Sequence, residues 1–113
     1  MDIGDIYTVE IPPSDGHEQA GTRPAIIVQA PQFEHRLPTV LIVPLTSQVA
    51  AQAFPGTFLI HPDSENNLTI PSVALAFQLR AIDKRRLGRL IGQLSASYLA
   101  QLQQHMRALL QLP

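Results

Sequence analysis

The chain has 113 residues with a formal net charge of −1, and its composition is 45% hydrophobic and 15% charged. This size and composition indicate one compact domain over residues 1–113, and a domain this small often gains stability by pairing with a copy of itself. Because the chain contains no cysteine, a disulfide framework and a thiolate metal site are both excluded.

The sequence has no apolar run near the roughly 18 to 20 residues that a membrane-spanning helix needs. Its first residues, Met-Asp-Ile-Gly-Asp, are acidic where a secretory signal peptide is basic. We therefore expect a cytoplasmic protein that does not engage a membrane.

Charge is distributed unevenly along the chain. Residues 1–65 carry eight acidic and two basic residues, a net of −6, whereas residues 66–113 carry six basic residues and one acidic residue, a net of +5. This asymmetry predicts either a local cationic face that attracts polyanions or two halves that neutralise each other in the fold. Charge alone favours neither alternative.

Five strand-like runs follow one another and are separated by Pro, Gly, Asp and Asn. The first run alternates, which indicates one face on a core, whereas the second and third are apolar on both faces and are expected in the centre of a sheet. Pro44 cannot donate a hydrogen bond to a neighbouring strand, so the third strand is expected to be bulged or at an edge there. The runs are Asp5–Ile11, Ala25–Gln29, Thr39–Leu45, Gly56–Ile60 and Val73–Ile82.

A helical pattern ends the chain, from Ser95 to Leu110, with Ser95 or Ser97 as a plausible N-cap. His105 is expected on or beside its apolar stripe, and the turn-rich segment His61–Asn67 is expected to be a mobile loop. The predicted fold is mainly β with α: a small, strongly twisted antiparallel barrel with a C-terminal amphipathic helix laid on it. The predicted stripe consists of Tyr98, Leu99, Leu102, Met106, Leu109 and Leu110.

The first polar segment is Gly16–Pro24, between the first two predicted strands. Its glycines allow sharp turns, and Pro24 biases Arg23 toward an extended conformation where the second strand begins. A guanidinium held there is a natural phosphate ligand. The alternative is an ordinary surface loop in which Arg23 pairs with Glu18.

A second polar segment, Thr46-Ser47-Gln48, ends a buried predicted strand with two hydroxyls and an amide. These hydroxyls either hold a phosphate oxygen or simply form a turn. In a third segment, Phe77–Leu87, a strand would put Gln78 and Arg80 on one face, which is either a ligand-reading face or a solvated outer face.

Other catalytic patterns are missing from the sequence. The four histidines lack the i, i+4 spacing of a helical metal site. There is no phosphate-binding glycine loop and no Gly-x-Ser-x-Gly elbow. We therefore expect neither a metal nor another cofactor.

Taken in order, these segments resemble the MazF/PemK/Kid family of toxin endoribonucleases from Ile3 to about Leu110. The most specific string is Glu-Gln-x-Gly-x-Arg-Pro at positions 18–24, inside a signature loop that runs from Gly16 to Ala25. The other matching segments are Gly4–Val9, Val43–Ser47, Ser72-Val73, Gln78–Asp83, Arg86–Gly88 and Gly92–Ser95.

The resemblance implies an SH3-like barrel of the PemK/CcdB type and a homodimer with a groove along its interface. It implies sequence-specific, metal-independent cleavage of single-stranded RNA, in which a ribose 2′-hydroxyl attacks the adjacent phosphorus and leaves a 2′,3′-cyclic phosphate and a 5′-hydroxyl. It also implies a cognate antitoxin of the MazE/PemI type whose disordered tail blocks the groove.

Carried over by position, Arg23 and Thr46 form the catalytic pair. Arg23 would neutralise charge on the phosphoryl oxygens, and Thr46 would donate a hydrogen bond to a non-bridging oxygen. Glu18 would either accept the 2′-hydroxyl proton or only orient Arg23. The residues expected to contact bases and backbone of the RNA are Gln19, Thr22, Ser47, Gln48, Gln78 and Arg80.

Phe77 departs from the family pattern, because members commonly carry an acidic residue there. An aromatic side chain at this position stacks on a base or is buried in the core, and burial is our expectation. The segment Asn66-Asn67-Leu68 also replaces the usual Gly-Leu turn.

Two rival functions share this fold. CcdB-like toxins bind DNA gyrase and cleave nothing, and a non-catalytic RNA-binding module would keep the groove alone, so fold by itself does not decide function. The pair Arg23 and Thr46 discriminates, because a gyrase binder has no need of it.

Overall fold

The computed structural model describes residues 1–12 and 21–113. This part of the chain forms seven strands and one α-helix, with short 3-10 helices in the connections. It contains no helix that is long and apolar enough to cross a membrane. The elements are β1 (Asp5–Ile11), β2 (Gly21–Ile27), β3 (Thr39–Thr46), β4 (Thr57–Ile60), β5 (Ser72–Leu75), β6 (Arg80–Asp83), β7 (Leu87–Gln93) and α1 (Ala96–Leu110).

All strand pairings are antiparallel, in the order β4-β5-β3-β2-β1-β7, with β6 also paired to β3. The two apolar strands β2 and β3 are central, as their sequences predict. Their burial on both faces is what a continuous apolar run requires.

The prediction of one continuous fifth strand over Val73–Ile82 is wrong, because this segment forms two strands, β5 and β6. From Leu45 opposite Ala74 to Ile42 opposite Arg80, β3 advances three residues while its partner advances six. The extra residues of the partner segment leave the sheet and form the 3-10 helix Ala76–Gln78 between β5 and β6. Gln78 and Arg80 therefore do not share a strand face.

Pro44 lies at this interruption, within the central strand β3. Neither β5 nor β6 pairs with it, although β2 does through Ala25. The predicted irregularity is therefore present, but the extra residues belong to the neighbouring chain segment and not to β3 itself.

In the part of the chain that the structure describes, the sheet is not closed by strand pairing, and a loop connects its two end strands. Within the described residues no strand ladder joins the end strands β4 and β7. Instead, the backbone N–H of Gln93 donates to the Glu65 carbonyl (3.0 Å), and the Asn67 side chain donates to the Ile91 carbonyl (2.9 Å). Asn66, which is fully buried, accepts from the N–H groups of Asp63 and Leu68 and donates to the His61 carbonyl. This network is inconsistent with the mobile loop that we expected at His61–Asn67.

Helix α1 covers one face of the bent sheet. Ser95 is its N-cap, since its hydroxyl accepts from the Tyr98 N–H. Leu102 is fully buried against the core, and the His105 ring stacks on Phe58 with centroids 5.5 Å apart, as expected beside the stripe. The predicted stripe is wrong only in its last turn, where Leu109 and Leu110 are exposed.

A second buried cluster occupies the opposite face of the sheet. Its members come from β1, β2, β3 and β6. They are Val9, Ile11, Ala25, Ile27, Val40, Ile42 and Ile82. The candidate site lies at the end of this face, where polar residues adjoin the apolar ones along β2 and β3.

Candidate active site

Arg23 and Thr46 meet where β2 enters the sheet and β3 leaves it. The β2–β3 pairing sets Ile27 opposite Ile42 and Ala25 opposite Pro44. Continuing this register by two residues puts Arg23 opposite Thr46, and directly opposed residues of antiparallel strands present their side chains on the same face. Both residues line the same two cavities, as this register requires.

Thr46 is 2% exposed and Arg23 is half-buried, so only a small part of the hydroxyl-bearing side chain is accessible where the cavities meet. The Thr46 Oγ1 atom accepts a hydrogen bond from the Gln48 N–H at 3.2 Å. A hydroxyl that accepts in this way still has its own proton to donate. The pair thus combines a permanent cation with an oriented donor, as binding of a phosphate oxygen requires.

The first cavity, which we call the aromatic cavity, has a volume of about 570 Å³. Arg23 and Thr46 contribute to its wall, two glutamines supply amides, and two phenylalanines supply an aromatic side. Its lining residues are Arg23, Thr46, Gln48, Ala50, Ala51, Phe54, Leu75, Phe77 and Gln78.

The second cavity, which we call the hydroxyl cavity, has a volume of about 310 Å³ and shares Arg23 and Thr46 with the first. Four of its other lining residues carry hydroxyls, and the rest are apolar. Its lining residues are Thr22, Arg23, Pro24, Leu45, Thr46, Ser47, Leu68, Thr69, Ile70 and Ser72.

The predicted RNA contacts divide between the two cavities. Gln48 and Gln78 line the aromatic cavity, whereas Thr22 and Ser47 line the hydroxyl cavity. Arg80 lines neither; it lies on β6 opposite Ile42, and its Nη1 atom is buried without a hydrogen-bond partner among the described residues. The predicted base Glu18, the predicted contact Gln19 and the signature loop up to Ala20 lie outside the described residues.

The sequence patterns did not predict the aromatic wall formed by Phe54 and Phe77. The expected burial of Phe77 is wrong: the side chain is 39% exposed, because the 3-10 helix Ala76–Gln78 turns it away from the sheet. Phe54, which is 56% exposed, lies beside it with ring centroids 5.5 Å apart. An aromatic residue directly before Pro55-Gly56 is the one sequence signal, since the turn keeps it out of a regular element.

The basic run after β6 is largely neutralised by its neighbours. Arg85 binds Asp83 at 2.9 Å, Arg86 lies 4.0 Å from Glu10, and Lys84 donates to the Glu34 backbone carbonyl. Arg86 and Glu10 come from the two halves of the chain, as in the second alternative drawn from the charge distribution, whereas Arg85 and Asp83 both belong to the basic half. Within the described walls of the two cavities, Arg23 is the only charged side chain.

Comparison with known sequences gives a match that spans most of the chain. The sequence model for the PemK-like, MazF-like toxin of type II toxin–antitoxin systems matches residues 2–110. The chain belongs to this family. The predicted family membership is therefore confirmed, and it covers nearly the whole chain.

Individual relatives agree with this placement. Endoribonuclease MazF from Staphylococcus saprophyticus is 34% identical over 95 residues, which cover 84% of this chain and 78% of that protein. A structure of MazF from Deinococcus radiodurans has 26% identity and a TM-score of 0.82, covering 98% of this chain and 96% of its own.

A structure of MazE–MazF from the same organism matches with 24% identity and a TM-score of 0.75, covering 100% of this chain and 97% of that one. At this identity the match speaks for the fold alone. The predicted fold class, a small antiparallel β fold with a C-terminal helix, is confirmed by these structures of the family.

Proposed function

We propose that the chain is an endoribonuclease that cleaves single-stranded RNA at short specific sequences without a metal ion. The observation that carries this proposal is the position of Arg23 and Thr46 at the junction of two cavities. A cation and a hydroxyl donor at that junction suit a phosphate whose two nucleotides lie one in each cavity. The relative at 34% identity, an endoribonuclease MazF, supports the same reaction class.

In the proposed reaction the ribose 2′-oxygen attacks the adjacent phosphorus and gives up its proton to a base, while the bond from phosphorus to the 5′-oxygen breaks and that oxygen takes up a proton from solvent or from the protonated base. The products are a 2′,3′-cyclic phosphate and a 5′-hydroxyl. Arg23 neutralises the charge that builds on the phosphoryl oxygens, because a guanidinium stays protonated at any working pH. Thr46 donates to a non-bridging oxygen and holds the phosphate in line for attack.

The proton acceptor has to come from beyond the described walls, which contain no carboxylate and no imidazole. Glu18 is five residues before Arg23 in the sequence. It serves either as the base or as a partner that orients Arg23. The E18Q variant separates these roles, because an amide oxygen can still accept a hydrogen bond from Arg23 but an amide cannot take the 2′-hydroxyl proton.

The proposal includes two protein partners. One is a second copy of this chain, in a homodimer with a groove along the interface. The other is an antitoxin of the MazE/PemI type, whose tail blocks that groove; MazF from Deinococcus radiodurans has been crystallised with MazE. Both partners and the RNA are expected in the cytoplasm.

The proposal is tested by replacing the two site residues separately. We expect R23A and T46V each to lower the rate of RNA cleavage in excess chelator on the order of 10²- to 10³-fold, as loss of one oxyanion donor does elsewhere. Rates are measured on a labelled single-stranded RNA, with thermal unfolding as the check on folding.

Matched controls are available in the same chain. R36A removes an exposed guanidinium and T39V removes a hydroxyl from the far end of β3, and neither residue lines either cavity. Both controls should cleave like the wild type. Intact RNA with the folded wild-type protein, accompanied by gyrase inhibition, would instead support the CcdB-like function.

A further inference from the structure

We infer that Phe54 and Phe77 form a stacking subsite for one nucleobase beside the scissile phosphate. This inference rests on the proposed function and deepens it by assigning a base-binding element to the same site. It concerns only the nucleotide on the aromatic-cavity side of Arg23 and Thr46.

The two rings offer an open apolar face beside the polar side chains of the cavity. Their centroids are 5.5 Å apart at an interplanar angle of 45°, and their side chains are 56% and 39% exposed. Exposed neighbouring aromatics are costly in water and commonly mark a binding surface. Stacking on a base covers such a face without requiring a particular base, because every base has a π-face.

The surroundings favour a nucleobase as the occupant. Gln48 and Gln78 line the same cavity, and an amide can both donate to and accept from the edge of a base. Arg23 and Thr46 lie in the wall of this cavity, so a base stacked on the rings is attached to the phosphate that they hold. A base edge offers hydrogen-bond donors and acceptors beside these polar side chains, which an apolar protein surface does not.

The aromatic wall is held in place before any ligand binds. The Thr57 hydroxyl donates to the Phe54 carbonyl at 2.8 Å, and the Phe77 N–H donates to the Gly56 carbonyl at 3.3 Å. Gly56 has φ +74°, and a Cβ there would lie 3.3 Å from the Phe77 Cβ. The turn before β4 and the 3-10 helix after β5 are thus tied together, which reduces the ordering cost of binding.

The other side of the pair is chemically different. The hydroxyl cavity contributes Thr22, Ser47, Thr69 and Ser72 and no aromatic residue. Hydroxyls suit the ribose and phosphate of a nucleotide better than the face of its base. Base dependence should therefore be asymmetric, strong for the nucleotide on the aromatic side and weak for its neighbour across the cleaved linkage.

The test uses a single-stranded RNA that the wild-type protein cuts, made uncleavable by a 2′-deoxy nucleotide at the cut and carrying an abasic nucleotide on one side or the other. For the intact RNA we expect F54L and F77L to weaken binding roughly five- to hundredfold, the range for loss of base stacking. One of the two abasic RNAs should bind the wild type more weakly by a similar factor. F77L should bind that abasic RNA no more weakly than it binds the intact RNA. F77Y should bind the intact RNA like the wild type.

The chain offers a matched control in Phe33, which is 39% exposed like Phe77 and lines neither cavity. F33L should bind all three RNAs like the wild type. Equal affinities of F77L, F54L and the wild type, with RNA cleavage intact, would overturn the stacking subsite while leaving the proposed function standing. If F77L instead lost self-association with its RNA affinity unchanged, the rings would belong to a subunit contact and the inference would fail. No cleavage of any RNA by the wild type would contradict the proposed function itself.

Discussion

The Thr46 hydroxyl is oriented by its own turn before a substrate arrives. The Gln48 N–H donates to its Oγ1 at 3.2 Å, and a β-branched side chain has few alternative rotamers. Donors fixed in advance stabilise developing charge without reorganising. Its position at the end of an apolar run marked Thr46 as a candidate, and only the family resemblance gave it a catalytic role. The exposure of Phe77 depends on the extra residues between β5 and β6, which no local sequence pattern reveals.

At the same scale, Asp83 gives a pH-dependent prediction. Hydrogen bonds from the Arg85 side chain and backbone lower the pKa of the Asp83 carboxyl from 3.8 to about 2. The folded pKa lies below the unfolded value, so the carboxylate contributes stability above pH 3.8 that is lost as the pH falls toward about 2.

The D83N variant should therefore have a lower melting temperature than the wild type at neutral pH, with the gap narrowing through that acid window. Thermal unfolding followed by circular dichroism at a series of pH values measures the gap. A gap that stays constant into acid would show that the ion pair with Arg85 does not stabilise the fold.

Among the elements, β7 joins the loop His61–Asn67 so closely that a glycine is needed. A Cβ at Gly92 would lie 2.5 Å from the Glu65 carbonyl oxygen and 2.6 Å from that of Asn66. This contact is tertiary, and the two glycines in Leu-Gly-Arg-Leu-Ile-Gly-Gln are also why the sequence does not read as a strand. By contrast, β1, β2, β3 and α1 were predictable, because each has a local pattern of its own: alternation in β1, continuous apolar runs in β2 and β3, and helical spacing in α1.

The G92A variant should destabilise the protein by about 1 to 3 kcal/mol, the usual cost of forcing an extra methyl into a packed contact. Denaturant unfolding measures this difference. L90A provides the control, since Leu90 is on the same strand and 56% exposed, and should change stability far less. If G92A and L90A changed the free energy of unfolding equally, the contact between β7 and this loop would not limit stability.

For the whole molecule, a net charge of −1 makes general attraction to RNA weak, and binding has to come from a local site. Much of the basic run after β6 is paired within the fold, whereas Arg23 lines both cavities. Sequence composition showed the charge asymmetry but not the pairing of Arg86 with Glu10, because it depends on the 3-10 helix after β6 lying beside β1.

Salt dependence tests this view of the whole molecule. For an uncleavable single-stranded RNA, R23A should reduce the slope of log K against log salt by about 0.7, the value for one lost phosphate contact. R85A, which removes a guanidinium paired with Asp83, should leave the slope unchanged. Fluorescence anisotropy titrations at several salt concentrations measure both slopes, and an equal reduction by R85A would point to a diffuse cationic surface.

The central claim is that Arg23 and Thr46 act on one RNA linkage whose own 2′-hydroxyl is the nucleophile. The most direct test is to incubate the wild-type protein, in excess chelator, with an RNA containing its cleavage sequence and with the same RNA carrying a single 2′-deoxy nucleotide at the cut. We predict that the first is cleaved to a 2′,3′-cyclic phosphate and a 5′-hydroxyl and that the second stays intact. Cleavage of the deoxy linkage, or products with a 5′-phosphate, would contradict the account.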